Sequence, residues 1–233
     1  MLIVFDLDGT LIDTAPDLVD TLNVILAREG LPPVPFAEAR SMIGAGARRL
    51  LQRGLARDGV APKPDELDRL YKDFLAYYAN HMADRSRPFP GLEAALDELS
   101  RQGHRFAVCT NKLEQLSARL LKLLKIEHRF AAICGQDTFG TLKPDPDILR
   151  RTIARAGGDV GQALVVGDST TDVATARAAG IPVIAVEFGY SEQPAAALGA
   201  DAVVASFAAL PEAVEGLVRA RRTQAVRAQS GPG

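Results

Sequence analysis

Asp6 and Asp8 lie two residues apart in the run Asp6-Leu7-Asp8-Gly9-Thr10. On an extended chain such residues point to the same side, so both carboxylates face one small space. Gly9 permits backbone conformations closed to other residues, and Thr10 adds a hydroxyl and a backbone N–H. An isolated D-x-D is also an ordinary polar turn, so the pair takes its meaning from what accompanies it. A second acidic group stands at Gly167-Asp168-Ser169-Thr170-Thr171-Asp172. Here Asp168 follows an apolar run, and Asp172 falls in the first turn of an expected helix, where negative charge also suits the helix dipole. Capping by Asp or Ser explains one acidic residue there, but not the assembled set. Thr110-Asn111 precedes another expected helix and offers a hydroxyl, an amide and free N–H groups to an anionic oxygen, although the same pair is a common cap. Lys143, in Lys143-Pro144-Asp145-Pro146, is a single cation on a chain stiffened by two prolines. Alone it would be an ordinary surface lysine.

Brought together, these groups pose an electrostatic problem. Asp6, Asp8, Asp168 and a phosphate dianion within a few ångströms repel by about 4 kcal/mol per pair at an effective dielectric of 20. The Lys143 ammonium and a hard divalent cation relieve this, and an oxygen-only donor set suits Mg²⁺. Phosphoryl transfer needs in-line positioning and neutralisation of the phosphoryl oxygens, and a carboxylate can act as nucleophile through an acyl phosphate.

The elements that must position these residues follow from hydrophobic period. Leu2-Ile3-Val4-Phe5 is a continuous apolar run, as in a strand buried on both faces of a parallel sheet, and similar runs recur at 105–109, 131–134, 163–166, 182–186 and 201–204. Helical patterns lie between and after them, at 92–102, 113–124, 146–156, 172–179 and 210–219. The alternation predicts an α/β fold, a Rossmann-like parallel sheet flanked by helices, whose ligands gather at the carboxyl ends of the strands. Residues 15–88 break the pattern with helical periodicity and no convincing strand, so they read as an inserted small all-helical cap on a core of residues 1–14 and 89–220. Pro16 and Pro88 mark linkers that could hinge. Tyr71, Phe74, Tyr77 and Tyr78 fit an amphipathic core face better than a ligand-stacking stripe. Residues 221–233 read as a flexible tail.

Composition narrows the class. Of 233 residues 47% are hydrophobic and 24% charged, as in globular domains, and the net charge of −2 gives no case for nucleic acid or an anionic membrane as partner. No apolar run is long enough to span a bilayer, so a cytoplasmic protein is expected. Cys109 and Cys134 sit in apolar runs and read as buried thiols, and His81, His104 and His128, scattered among polar neighbours, read as surface residues.

Taken in order, Asp6-Leu7-Asp8-Gly9-Thr10, Thr110-Asn111, Lys143 and Gly167-Asp168-Ser169-Thr170-Thr171-Asp172 resemble the four signature motifs of the haloacid dehalogenase superfamily, from Met1 to about Val204. The resemblance implies that Asp6 attacks phosphorus. Asp8 would then protonate the departing alkoxide and take a proton from the hydrolytic water. It further implies that Mg²⁺ is held by the Asp6 carboxylate, the Asp8 carbonyl and Asp168, with Asp172 close behind, Gly9, Thr10 and Ser169 in support, and Thr110, Asn111 and Lys143 on the phosphate. Asp8 also argues against dehalogenation, since dehalogenating members lack an acid there.

Within the superfamily the segment Arg40–Leu51 and Phe188-Gly189-Tyr190 look most similar to phosphoglycolate phosphatases. Gly44 and Gly46 before a helix, with Arg48, could meet a substrate carboxylate, or could equally be a helix start with a solvated arginine. The expected substrate is a small phosphorylated metabolite, 2-phosphoglycolate first, and the expected state a monomer or homodimer. Competing readings are a phosphatase for a sugar phosphate, nucleotide or pyrophosphate, a phosphosugar mutase, and a non-catalytic binding module.

Overall fold

The structure is a computed structural model and describes residues 1–229. The chain runs β1 (Leu2–Phe5), β2 (Ile12–Asp13), α1 (Ala15–Arg28), α2 (Phe36–Ser41), α3 (Ala47–Arg57), α4 (Pro64–His81), β3 (Arg87–Pro88), α5 (Leu92–Arg101), β4 (Arg105–Cys109) and α6 (Glu114–Leu123). It continues through β5 (Phe130–Cys134), α7 (Pro146–Arg155), β6 (Ala163–Gly167), α8 (Thr170–Ala179), β7 (Val183–Val186), β8 (Ala202–Val204) and α9 (Leu210–Gln229).

Six strands form one parallel sheet in the order β5-β4-β1-β6-β7-β8, so the expected α/β architecture stands. In β1, Ile3 and Phe5 pack with the apolar cluster on one sheet face while Leu2 and Val4 join the cluster on the other. A period of two with both faces buried produces the unbroken apolar run. Each such large side chain contributes about 1.5–3 kcal/mol on burial. From β1 the chain builds outward to β4 and β5 on one side and to β6, β7 and β8 on the other. The strand order therefore reverses at β1, and the crevice beyond its carboxyl end is where ligands gather in such sheets.

Helices α1 to α4 form the insert, seated over that crevice. Phe74 and Tyr78 are fully buried, as the core reading of the aromatic positions requires, whereas Tyr71 and Tyr78 also line the cavity beneath the insert. One stretch departs from the all-helical expectation. Arg87 and Pro88 pair antiparallel with Asp13 and Ile12, so the two linkers form a short ribbon, a ladder too brief to leave an alternating pattern. The C-terminus departs too. Helix α9 continues through Gln229, because its Ala, Arg, Val and Gln residues include strong helix formers, and residues 230–233 lie outside the described residues. Cys109 and Cys134 are buried free thiols.

Candidate active site

Each element that meets β1 delivers one polar group to the same place. Asp6 follows β1 and is held in register by its N–H donating to the Val166 carbonyl at 2.9 Å. The next residues turn tightly, with the N–H groups of Leu11 and Ile12 both donating to the Leu7 carbonyl and Gly9 donating to Ile12. Gly9 has φ of 87°, and a Cβ there would stand 2.5 Å from Asp168 Oδ2. Only glycine satisfies both the left-handed backbone and that close approach.

Asp168 leaves β6 with both oxygens engaged. Thr10 Oγ1 donates to Oδ1 at 2.9 Å and the Tyr190 N–H donates to Oδ2 at 2.7 Å. The approach of the second donor again needs a glycine, since a Cβ on Gly189 would lie 2.1 Å from the Asp168 Cβ. Tyr190 is itself fixed, its hydroxyl donating to Asp13 and accepting from the Ala15 N–H. The helix cap falls to Ser169 and Asp172: Ser169 Oγ accepts the Asp172 N–H, and Asp172 Oδ2 accepts from the Ser169 N–H and hydroxyl. Its other oxygen accepts from Lys143 Nζ at 2.5 Å.

Lys143 Nζ also lies 2.8 Å from Asp6 Oδ1. That contact is an ion pair without hydrogen-bond alignment, so Asp6 Oδ1 is buried with no hydrogen-bond partner. Burial lifts the Asp6 carboxyl from 3.8 to about 6, with Lys143 opposing the rise and Asp172 and Asp8 adding to it. Burial, then the Asp172 and Asp6 charges, lift Asp168 to about 8, against the Tyr190 N–H and Thr10 hydroxyl. For Lys143 burial works against the charge, but Asp172 and Asp6 outweigh it and hold it above the ordinary lysine range.

Carboxylate oxygens of Asp6, Asp168 and Asp172 lie within 4.8 Å of one another, all buried. Three carboxylates face one lysine, and one oxygen lacks a donor. An all-oxygen set with that deficit of positive charge fits a small hard cation.

The sequence also placed Asp8, Thr110 and Asn111 here, and all three line one cavity with Asp6. Thr110 Oγ1 accepts the Lys112 N–H, which leaves its own proton free to donate. Asn111 does something other than the expected anion binding with its amide. Its Nδ2 donates to the Lys143 carbonyl at 3.1 Å and its Oδ1 accepts the Lys143 N–H at 2.9 Å, so the side chain anchors the lysine's backbone. Gly44 and Gly46 line the cavity, whereas Arg48 does not. Arg48 pairs with Asp68 at 2.5 Å and lies over the Tyr71 ring. Ala47 and Leu50 take the inward face of α3, and Arg48, about 100° round the helix from Ala47, points elsewhere.

Two residues escaped the sequence reading. Lys112 is buried, with Nζ at 3.0 and 3.1 Å from the two Asp8 oxygens and 4.4 Å from the centre of the Tyr78 ring. It directly follows Thr110-Asn111, so its position was visible although its inward direction was not. Arg40, on α2, donates to the Phe188 and Gly189 carbonyls at 3.0 and 2.7 Å and lies over the Tyr190 ring. The cap thus rests on the segment whose N–H orients Asp168.

The cavity under the cap measures about 30 Å³, room for roughly two waters. Among the described residues, no helix is long and apolar enough to cross a membrane.

Comparison with known proteins agrees with this arrangement. The family model for haloacid dehalogenase-like hydrolases matches residues 3–186. A phosphoglycolate phosphatase of Caulobacter vibrioides is 46% identical over 211 residues, covering 91% of this chain and 89% of that protein. One from Mesorhizobium japonicum is 48% identical over 220 residues, covering 94% and 97%. The crystal structure of a predicted phosphoglycolate phosphatase from Haemophilus somnus superposes with a TM-score of 0.85 at 31% identity, covering 91% of this chain and 97% of that one. The chain belongs to the haloacid dehalogenase-like hydrolase family, and it is a phosphatase.

Proposed function

We propose that the protein hydrolyses 2-phosphoglycolate to glycolate and phosphate through an aspartyl phosphate on Asp6. The observation that carries the substrate is the 46–48% identity to phosphoglycolate phosphatases over nearly the whole chain.

In the first step an Asp6 oxygen forms a bond to phosphorus as the bond to the ester oxygen breaks, and Asp8 passes its proton to that oxygen. In the second, water attacks phosphorus, Asp8 takes a proton from it, and the Asp6–phosphorus bond breaks. Lys143, held by Asp6 and Asp172, faces the phosphoryl charge, and the Thr110 hydroxyl supplies a donor. Asp6 and Asp168 would hold Mg²⁺, with the Asp8 carbonyl added by the family resemblance and Asp172 behind. Bound there, Mg²⁺ neutralises the phosphoryl oxygens and the carboxylates around them.

Phosphate release from a panel of small esters with Mg²⁺ tests the reading. Phosphoglycolate is expected to give the highest kcat/KM, and a clear preference for a sugar phosphate, a nucleotide or pyrophosphate would remove it.

The cation makes a separate prediction. With Asp6 at about 6 and Asp168 at about 8, against 3.8 for an ordinary aspartate carboxyl, the cation-free folded protein binds more protons than the unfolded chain between about pH 4 and 8. Its stability therefore falls as pH rises through that window, and the penalty is complete above the higher value. Chelated protein should melt lower at pH 8 than at pH 5.5, and Mg²⁺ should raise the melting temperature more at pH 8. A Mg²⁺-independent melt at pH 8 would contradict the assigned site.

A further inference from the structure

Among the described residues lining the cavity under the cap, Lys112 is the only cation, and it pairs with Asp8. Lys143 is committed to Asp6 and Asp172. Lys112 instead meets Asp8, with its ammonium 3.0 and 3.1 Å from the two carboxylate oxygens. An ammonium carries three donors, and Asp8 occupies at most two of them. The centre of the Tyr78 ring, contributed by α4 of the cap, lies 4.4 Å from the ammonium, so the pocket around this charge is completed by both parts of the molecule.

The leaving group determines what else stands there. In the proposed reaction Asp8 hands its proton to the ester oxygen, so that oxygen lies beside Asp8. In 2-phosphoglycolate the carboxylate is attached to the very carbon that carries the ester oxygen. A cation in contact with the Asp8 carboxylate is therefore within reach of the substrate's own carboxylate. Arg48, the donor that the sequence suggested for this purpose, is paired with Asp68 away from the cavity. A carboxylate entering a mostly apolar space lined by Leu18, Ile43, Leu50 and Leu75 needs a charged partner, and Lys112 is the one present.

We propose that Lys112 is the specificity residue of this enzyme. It binds the substrate's carboxylate with its ammonium while staying beside Asp8, and so selects esters whose leaving alcohol carries an acid group. The inference rests on the phosphoglycolate reading and assigns the recognition of its second anion to one side chain.

The test compares kcat/KM for 2-phosphoglycolate with that for 2-hydroxyethyl phosphate, which has the same length and an uncharged hydroxymethyl group in place of the carboxylate. Any effect of Lys112 through Asp8 or through folding acts on both esters and cancels in their ratio. Wild-type protein is expected to prefer phosphoglycolate. Lys112→Met should lower that preference by about 10–100-fold, the range for losing one charge-assisted hydrogen bond. Lys112→Gln, which keeps a hydrogen-bonding end without the charge, should give the same collapse and serves if the Met variant does not fold. Lys112→Arg should retain most of the preference. An unchanged ratio in the Met or Gln variant overturns the assignment of Lys112 while leaving the phosphoglycolate reading intact. Wild-type protein that handles both esters equally sinks that reading instead, and does so before any variant is made.

Discussion

Asp6→Asn should lower turnover by roughly 10⁴-fold or more while leaving the protein folded, the scale on which removal of a covalent nucleophile acts. An amide oxygen of nearly the same shape stays in the cradle between β1 and β6, but it cannot form the acyl phosphate. The cost to the fold is small for a specific reason. Asp6 is one of three buried carboxylates within 4.8 Å of each other, and its folded form is already pushed toward protonation. Removing its charge relieves repulsion on Asp168 and Asp172, and Lys143 keeps Asp172 as a partner at 2.5 Å. Circular dichroism and thermal melting should therefore match or exceed wild type without added metal. Ordinary turnover by this variant would end the assignment of Asp6 as nucleophile.

Lys143→Met should fail in both respects. The lysine is buried between Asp6 and Asp172, and taking away one partner of a buried ion pair costs about 3–5 kcal/mol because the remaining charges are left uncompensated. Methionine fills much the same volume, so the deficit reports charge and not a cavity. The destabilisation should be larger at pH 8 than at pH 5, since at lower pH the stranded carboxylates can take up protons. Activity should drop by at least about 10²-fold, as expected when a preorganised charge facing the transition state is lost. A variant that melts and turns over like wild type would show that the phosphate is neutralised elsewhere.

The parts of this molecule that were legible in the sequence are those governed by local pattern. Leu2–Phe5 reads as a doubly buried strand because every residue in it must be apolar, and Asp6, Thr110 and Asp168 follow as neighbours because parallel strands align their carboxyl ends. Gly9 marks a turn that the structure confirms at a φ of 87°. What stayed hidden depends on direction across long sequence separations. Nothing local distinguishes Lys112 from a solvated lysine, since its partners Asp8 and Tyr78 come from other parts of the chain. Asn111 looked like an anion ligand because its amide can serve either an oxygen or a backbone, and only the approach of Lys143 decides between them. For Arg48 the sequence left both readings open, and the structure shows the solvated one. A promising residue type near two glycines was turned aside by helical phase, which over one short segment preceded by irregular chain has no fixed origin.

The ribbon between Ile12–Asp13 and Arg87–Pro88 has a consequence for how such a protein can change. Its first strand begins at Ile12, whose N–H and carbonyl also close the turn that carries Asp8 and Gly9. The four-helix module is thus mounted on a paired tether that shares hydrogen bonds with the nucleophile's own loop. A module transplanted from a related enzyme should work only when both tether strands travel with it and it keeps the contacts that Arg40 and Tyr78 make with the core.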